Sequence, residues 1–262
     1  MRSLTLRGVA PAEAARIALA QVADPERAQQ VYAEAALAIA ESDAGAASGR
    51  AGGGPVVPVG PADPAARGLA RAAQALDAAR ASVIVTEALN RDGVTRTWEN
   101  LLVPVLVGLG RRWESGRVGV DVEHLMSECV LSALRDAQHR QPQPVSARPV
   151  LLAAAEDEQH TLPIHAVAAA LAERRVASLV LGARVPASAL ADAVRRSGPG
   201  AVFVWSQTAT TGWSGRLVGL PHTRPPVTYV VGGPGWGSDL PPEVTRVDSL
   251  AHAVSVLARA AG

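Results

Sequence analysis

The chain has 262 residues, 48% of them hydrophobic and 19% charged, with a formal net charge of +1. That size allows two modest domains with real cores, and the near-neutral charge excludes the global basic field that drives non-specific nucleic-acid binding. A single cysteine, Cys129, excludes an internal disulfide framework and suits a reducing cytoplasm.

Residues 1–40 carry Ala-rich helical periodicity, with a turn at Val9-Ala10-Pro11 before a helix from Ala12. No charged leader followed by an apolar signal core opens the chain. Residues 41–65 are a Gly/Ala/Pro-rich stretch with little to bury, expected to be a flexible linker. Over 66–140 the patterns ARGLARAAQALDAARA, VIVTEAL, TRTWENLLVPVLVGLGRRW and VDVEHLMSECVLSALRDA predict a four-helix bundle. The apolar run Leu101 to Leu109 inside it is too short to span a bilayer and contains Pro104. The expectation is a soluble, cytoplasmic protein with no membrane partner. Trp113 falls near the end of the third pattern, Glu123 and His124 in the first turn of the fourth. A connection as short as 115–119 between antiparallel helices brings the three to one end of the bundle. Cys129 lies mid-helix among apolar residues and is expected in the core.

After the hinge QPQPVSARP, residues 148–262 alternate strand and helix. Strands are expected at Val150–Ala155, Ala177–Leu181, Ala201–Trp205, Thr228–Val231 and Glu243–Val247, and helices at Pro163–Arg175, Ala187–Ser197 and Leu250–Ala261. Such alternation predicts a parallel sheet with helices on its faces. The segment SQTATTGWSGRLVGLPHTRPP is too rich in Thr, Gly and Pro for a full helix, leaving either a turn around Gly212–Leu220 or a rebuilt region in which Trp213 covers the sheet.

The first strand runs into VLLAAAEDEQHTLP (150–163), which places His160 at a strand's carboxyl end, where open α/β sheets bind ligands. A metal-ligating histidine usually hands its other ring N–H to a carboxylate; Glu156, Asp157 and Glu158 are at hand, and Glu158, two residues away, is the expected partner. A solvated acidic turn with an incidental histidine is the alternative from this loop alone. His165, on the following helix, is expected at the surface or in a local hydrogen bond; pairing with His160 at a zinc site is a weaker reading, because no Cys or third well-spaced His accompanies them.

The spacing P-x-L-x(3)-G-x(2)-W-x(9)-E-H, from Pro104 through Trp113 to Glu123-His124, resembles the helical cap of cobalamin-binding regulators related to the light-sensing MerR-type repressors. Glu158-x-His160, Ser206-Gln207-Thr208 and Gly232-Gly233 follow in the order of that family's Rossmann-like, flavodoxin-like cobalamin module, so the resemblance covers about residues 66–262. It implies an α + α/β architecture: a four-helix bundle cap over 66–140, then a parallel-sheet cobalamin-binding domain over 148–262. It makes His160 the lower cobalt ligand, a role that suits imidazole nitrogen. Trp113, Glu123 and His124 would line the space above the corrin. Ser206, with Thr208, would meet the nucleotide tail, and Gly232 and Gly233 would let backbone approach it closely; an ordinary strand exit is the alternative for the glycines. Trp236 would wall the tail or pack on the last helix. LTLRGVAPAEAARIALA resembles the end of a MerR-type DNA-binding domain without its recognition helix and wing, so residues 1–40 read as a helical remnant and DNA binding by this chain alone is not expected.

Two departures stand out. Pro163 replaces a family glycine, and Glu114 follows the cap tryptophan where light-sensing members commonly carry histidine, leaving His124 as the nearest candidate upper ligand. The leading expectation is a non-enzymatic photosensory or regulatory module holding adenosylcobalamin or another B12 form, acting through a homo-oligomer or a regulatory protein partner. The alternatives are a sensor with a second chromophore, a linear tetrapyrrole (bilin) beside the cobalamin, and a corrinoid carrier for methyl transfer.

Overall fold

The computed structural model of the chain describes residues 64–114 and 119–262. The expected remnant at 1–40, almost all of the linker and most of the 115–119 turn lie outside the described residues. Over the stretch expected to be helical the described elements are α1 (Pro64–Gln74), α2 (Ala78–Thr97), α3 (Val103–Glu114) and α4 (Val120–His139), with a π-helical turn, Trp98–Leu102, leading from α2 to α3. The first expected pattern, 66–81, is divided between α1 and α2, and the third between the end of α2, the π-helical turn and α3. Pro64 and Ala65, expected at the end of the linker, belong to α1; proline's fixed φ suits a helix's first turn.

The helices divide between two compact units, Pro64–Asp77 with Pro104–Leu125, and Ala78–Val103 with Met126–Gly262. In the first, α1 buries Ala66, Leu69, Ala70 and Ala73 at helical spacing and leaves Arg67 and Arg71 outside. It closes with Leu76 at φ 53, where the Asp77 amide bonds Ala72 O and the Leu76 amide bonds Ala73 O, satisfying two carbonyls of the last turn.

In the second unit, α2 breaks at Gly93 (φ 77, ψ 171), a conformation essentially reserved for glycine. The helix restarts under a carboxylate cap: the Val94 amide donates to Glu173 Oε1 at 2.9 Å. Glu99, on the π-helical turn, accepts the Ala251 amide at 3.0 Å. These two acids fasten the helical stretch to the helices that cover the sheet.

Five parallel strands follow: β1 (Val150–Ala154), β2 (Ser178–Gly182), β3 (Ala201–Trp205), β4 (Thr228–Gly232) and β5 (Val244–Val247). Their order is β2-β1-β3-β4-β5, the flavodoxin-like order whose switch point lies between β1 and β3. α5 (Leu162–Glu173) joins β1 to β2, α6 (Ala187–Ser197) joins β2 to β3, and α7 (Leu250–Ala261) follows β5. β1 is buried throughout, as a central parallel strand covered on both faces must be. Leu151, Ala153, Val202, Val204 and Val231 build one core with Leu190 and Val194 of α6. Strand alternation turns Val150, Leu152, Phe203 and Val230 to the other face, which α5 and α7 cover.

No helix joins β3 to β4. The chain makes one 3-10 turn, Ser214–Leu217, and Leu217 and Leu220 shield the sheet. Trp213 does not cover it, being 64% exposed. A Cβ on Gly212 would lie 2.1 Å from Gly235 O, so this segment is pressed against the β4 exit as a strap rather than raised as a helix. Trp236 is buried in the α6-side core, its indole N–H donating to Gly232 O at 3.0 Å, and so does not pack on the last helix. Cys129 is buried as expected. No helix among the described residues is long and apolar enough to cross a membrane.

Candidate functional site

The loop leaving β1 is tied to its neighbours through backbone. The Ala155 amide donates to Trp205 O at 2.8 Å, the Glu158 amide to Ala155 O at 2.9 Å, and the Arg184 amide to Glu158 O at 2.9 Å. Asp157 takes a left-handed conformation (φ 68) that doubles the chain back. This turn carries Glu158 inward and leaves His160 outside: Glu158 is 1% exposed, whereas the His160 side chain is 58% exposed. Thr161 stands at the N-cap position of α5 without a side-chain capping bond, and Pro163 enters the first turn, so the residue that departs from the family glycine is accommodated as a helix starter.

The buried carboxylate has four donors. Oε1 accepts the His160 amide at 2.8 Å and lies 2.5 Å from His160 Nδ1; Oε2 accepts the Gln207 amide and the Thr211 hydroxyl, each at 2.7 Å. Burial alone would raise its pKa, but the hydrogen bonds from His160, Thr211 and the backbone outweigh burial and hold it at about 2. With the Thr211 hydroxyl donating to Glu158, its oxygen can accept from Ser206 Oγ, 2.7 Å away. A hydroxyl relay therefore runs from Ser206 through Thr211 and Glu158 to His160. A carboxylate on Nδ1 fixes the ring's tautomer and orientation.

The loops after β3 and β4 complete this end of the sheet. Ser206 is fully buried, with Thr208 O and Thr211 Oγ1 within reach of its hydroxyl. A Cβ on Gly233 (φ 105) would stand 2.0 Å from Ser206 O, and one on Gly232 would stand 2.7 Å from the Phe203 ring. Both glycines are thus required by the chain's own close packing. Trp205, which ends β3 beside them, has a buried indole nitrogen with no hydrogen-bond partner.

Of the residues singled out in sequence, Glu158, His160, Ser206, Thr208, Gly232 and Gly233 gather at the carboxyl ends of β1, β3 and β4. Trp113 is the penultimate residue of α3; Glu123, partly buried, and His124, exposed, open α4. His165 departs from expectation: it is buried in α5, and burial, aided by the charge of Arg135, pushes its pKa down to about 4. Sequence reasoning passed over Thr211 and Arg216. A hydroxyl residue shortly after Ser206 was the only signal for the first, and a lone arginine in a Gly-rich segment gave none for the second. A concavity lined by Leu217, His222, Tyr229 and Glu243 lies at the amino ends of β4 and β5, the opposite end from these loops.

The donor set fits a corrinoid. Among the described residues no three His, Cys, Asp or Glu side chains are grouped to hold a bare metal ion. A single oriented imidazole suits a metal that brings its remaining ligands in a macrocycle, and the orphaned Trp205 N–H leaves a polar atom at the same strand ends.

Residues 65–135 match a family described as B12 binding domain. The chain is 35% identical over 123 residues to the HTH-type transcriptional repressor CarH of Myxococcus xanthus, a match covering 47% of this chain and 41% of the repressor. The structure of the Methanosarcina barkeri monomethylamine corrinoid protein is similar in fold, with a TM-score of 0.54 at 15% identity, over 73% of this chain and 95% of that one. The family match spans Trp113, Glu123 and His124, and the corrinoid protein supports the Rossmann-like fold in which His160 sits. Residues 65–135 are thus similar to the B12-binding domain family, and the chain spans less than half the length of the repressor it matches.

Proposed function

We propose that this chain is a cobalamin-binding regulatory module in which His160 supplies the lower cobalt ligand. The observation that carries the reading is the relay: an outward imidazole held through Nδ1 by a buried carboxylate, itself fixed by Thr211 and two backbone amides, at the sheet's switch point. Trp113, Glu123 and His124 would face the upper side of the corrin. Thr208 would meet the nucleotide tail near the backbone of Gly232 and Gly233, while Ser206 acts from beneath through the relay. Cobalamin with an upper alkyl group supplies a light-labile cobalt–carbon bond. Signal output through a homo-oligomer or a regulatory protein partner, without enzymatic turnover, agrees with the similarity to a repressor. A cytoplasmic setting suits such a role.

The test is reconstitution with adenosylcobalamin and hydroxocobalamin, with spectra recorded in the dark and after illumination. The wild type is expected to bind and to show nitrogen ligation that His160→Ala lacks. Protein that stays colourless, or a His160→Ala spectrum identical to wild type, would overturn the reading. A second reading, a bilin beside the cobalamin, draws support from Glu114 in place of histidine and from the helix-free strap with Trp213 and Val218 exposed. It requires an added far-red band when biliverdin is supplied.

A further inference from the structure

The strap between β3 and β4 carries an arginine whose bonds all go to the turn that precedes His160. Arg216 Nη1 donates to Glu156 O at 2.6 Å and Nη2 to Asp157 Oδ2 at 3.0 Å, while Nε lies 3.7 Å from Glu156 Oε2. The guanidinium thus grips backbone and side chain of two successive loop residues, one of them the left-handed Asp157 on which the turn pivots. Arg184 stands 3.8 Å from the other Asp157 oxygen. The Arg216 side chain is 23% exposed but Asp157 is 60% exposed, so the ion pair alone would contribute little; the 2.6 Å bond from Nη1 to the Glu156 carbonyl is what adds a directed grip on the turn.

The platform beneath Arg216 is fixed independently. Leu217 is buried in the α6-side core, and the Ser214 hydroxyl donates to Asp239 at 2.7 Å. The same strap supplies Thr211 to Glu158. The segment that lost its helix therefore holds the ligand loop at two points: Thr211 on the carboxylate behind His160, and Arg216 on the turn in front of it.

We infer that Arg216 is a positioning residue for the His160 loop, setting the pose of the imidazole through Glu156 and Asp157 without touching the ligand. The inference rests on His160 being the ligand, and its test separates the two. Hydrogen exchange of the Glu158 and His160 amides is followed in the full, cobalamin-free chain for wild type, Arg216→Ala, Asp157→Ala and the double variant; hydroxocobalamin binding is then titrated by absorbance alongside His160→Ala. Arg216→Ala should speed exchange at both amides about tenfold, and Asp157→Ala should do the same. The double variant should fall clearly short of the product of the two single effects, because the Arg216–Asp157 bond is common to both, while Arg216 alone holds Glu156 O and Asp157 alone faces Arg184. Hydroxocobalamin should still bind Arg216→Ala, but several-fold more weakly and with a smaller nitrogen-ligated fraction. Arg216→Lys keeps the charge and stem but not the fork, so it should fold like wild type and exchange at an intermediate rate; this separates loop pose from general instability.

Unchanged exchange in Arg216→Ala, or additive effects in the double variant, would overturn the inference. A His160→Ala spectrum equal to wild type would instead sink the ligand reading, whatever the exchange data show.

Discussion

Replacing Glu158 with Gln keeps the side chain's shape and removes its charge. The wild-type carboxylate accepts from four donors, two on each oxygen. An amide offers one oxygen and turns an NH2 toward the other pair of donors, leaving a buried clash whichever way it is placed. The cost follows from linkage as well: lowering the carboxyl's pKa from its ordinary 4.5 to about 2 corresponds to roughly 3 kcal/mol of stability. Because the folded value lies below the unfolded one, that contribution is complete above pH 4.5 and is lost as pH falls toward 2. Thermal unfolding of the cobalamin-free protein at pH 7 should place Glu158→Gln about 10 °C below wild type, and the gap should close steadily as the buffer is taken from pH 4.5 downward. A gap of about 1 °C or less at pH 7, or one that persists unchanged in acid, would refute the account of a fully satisfied buried anion.

His165 gives a second pH signature at a different place. Its folded pKa of about 4 lies below the ordinary 6.5, so the neutral ring is the folded form; stability is full above pH 6.5 and falls as pH drops toward 4. Urea unfolding of wild type should show a loss of about 2 kcal/mol between pH 7 and pH 5 from this group, and His165→Leu should lose that much less over the same interval. At the β4 exit, Gly233→Ala adds a Cβ 2.0 Å from Ser206 O at φ 105. The expected loss is about 3 kcal/mol or more, and a variant with wild-type urea midpoint would show that the β4 exit is not packed as described.

Most strands were legible because they are short apolar runs closed by turn residues, β5 (VTRV) being the exception, and the observed ends differ from the expected ones by about a residue. His160 with Glu158 was legible for the same reason: once the strand is placed, the loop behind it follows. The burial of His165 was written in the sequence but overlooked. Residues Ile164 to Leu171 of α5 are buried without interruption, and a helix apolar on all sides lies between packed layers, so a histidine within it has no route to solvent. The break in α2 fell where two helical patterns stopped and restarted, but its cap, Glu173, lies 79 residues away. Thr211 and Arg216 were hidden for a like reason: the strap has no periodicity, and its contacts with the loop after β1 are 53 to 60 residues apart in sequence. Local pattern carries no information about such pairings.

The His160 ring is oriented before any ligand arrives. Its rotation about the side-chain bonds is already restricted by the Glu158 carboxylate, and Glu158 by Thr211 and two amides. The freedom that a flexible side chain forfeits on binding, about 1 kcal/mol per immobilised group, has been surrendered during folding. Association at His160 should therefore proceed with little further loss of conformational entropy. With His160 as the proposed ligand, affinity and domain stability would be properties of one set of bonds, so substitutions in the strap should change both together.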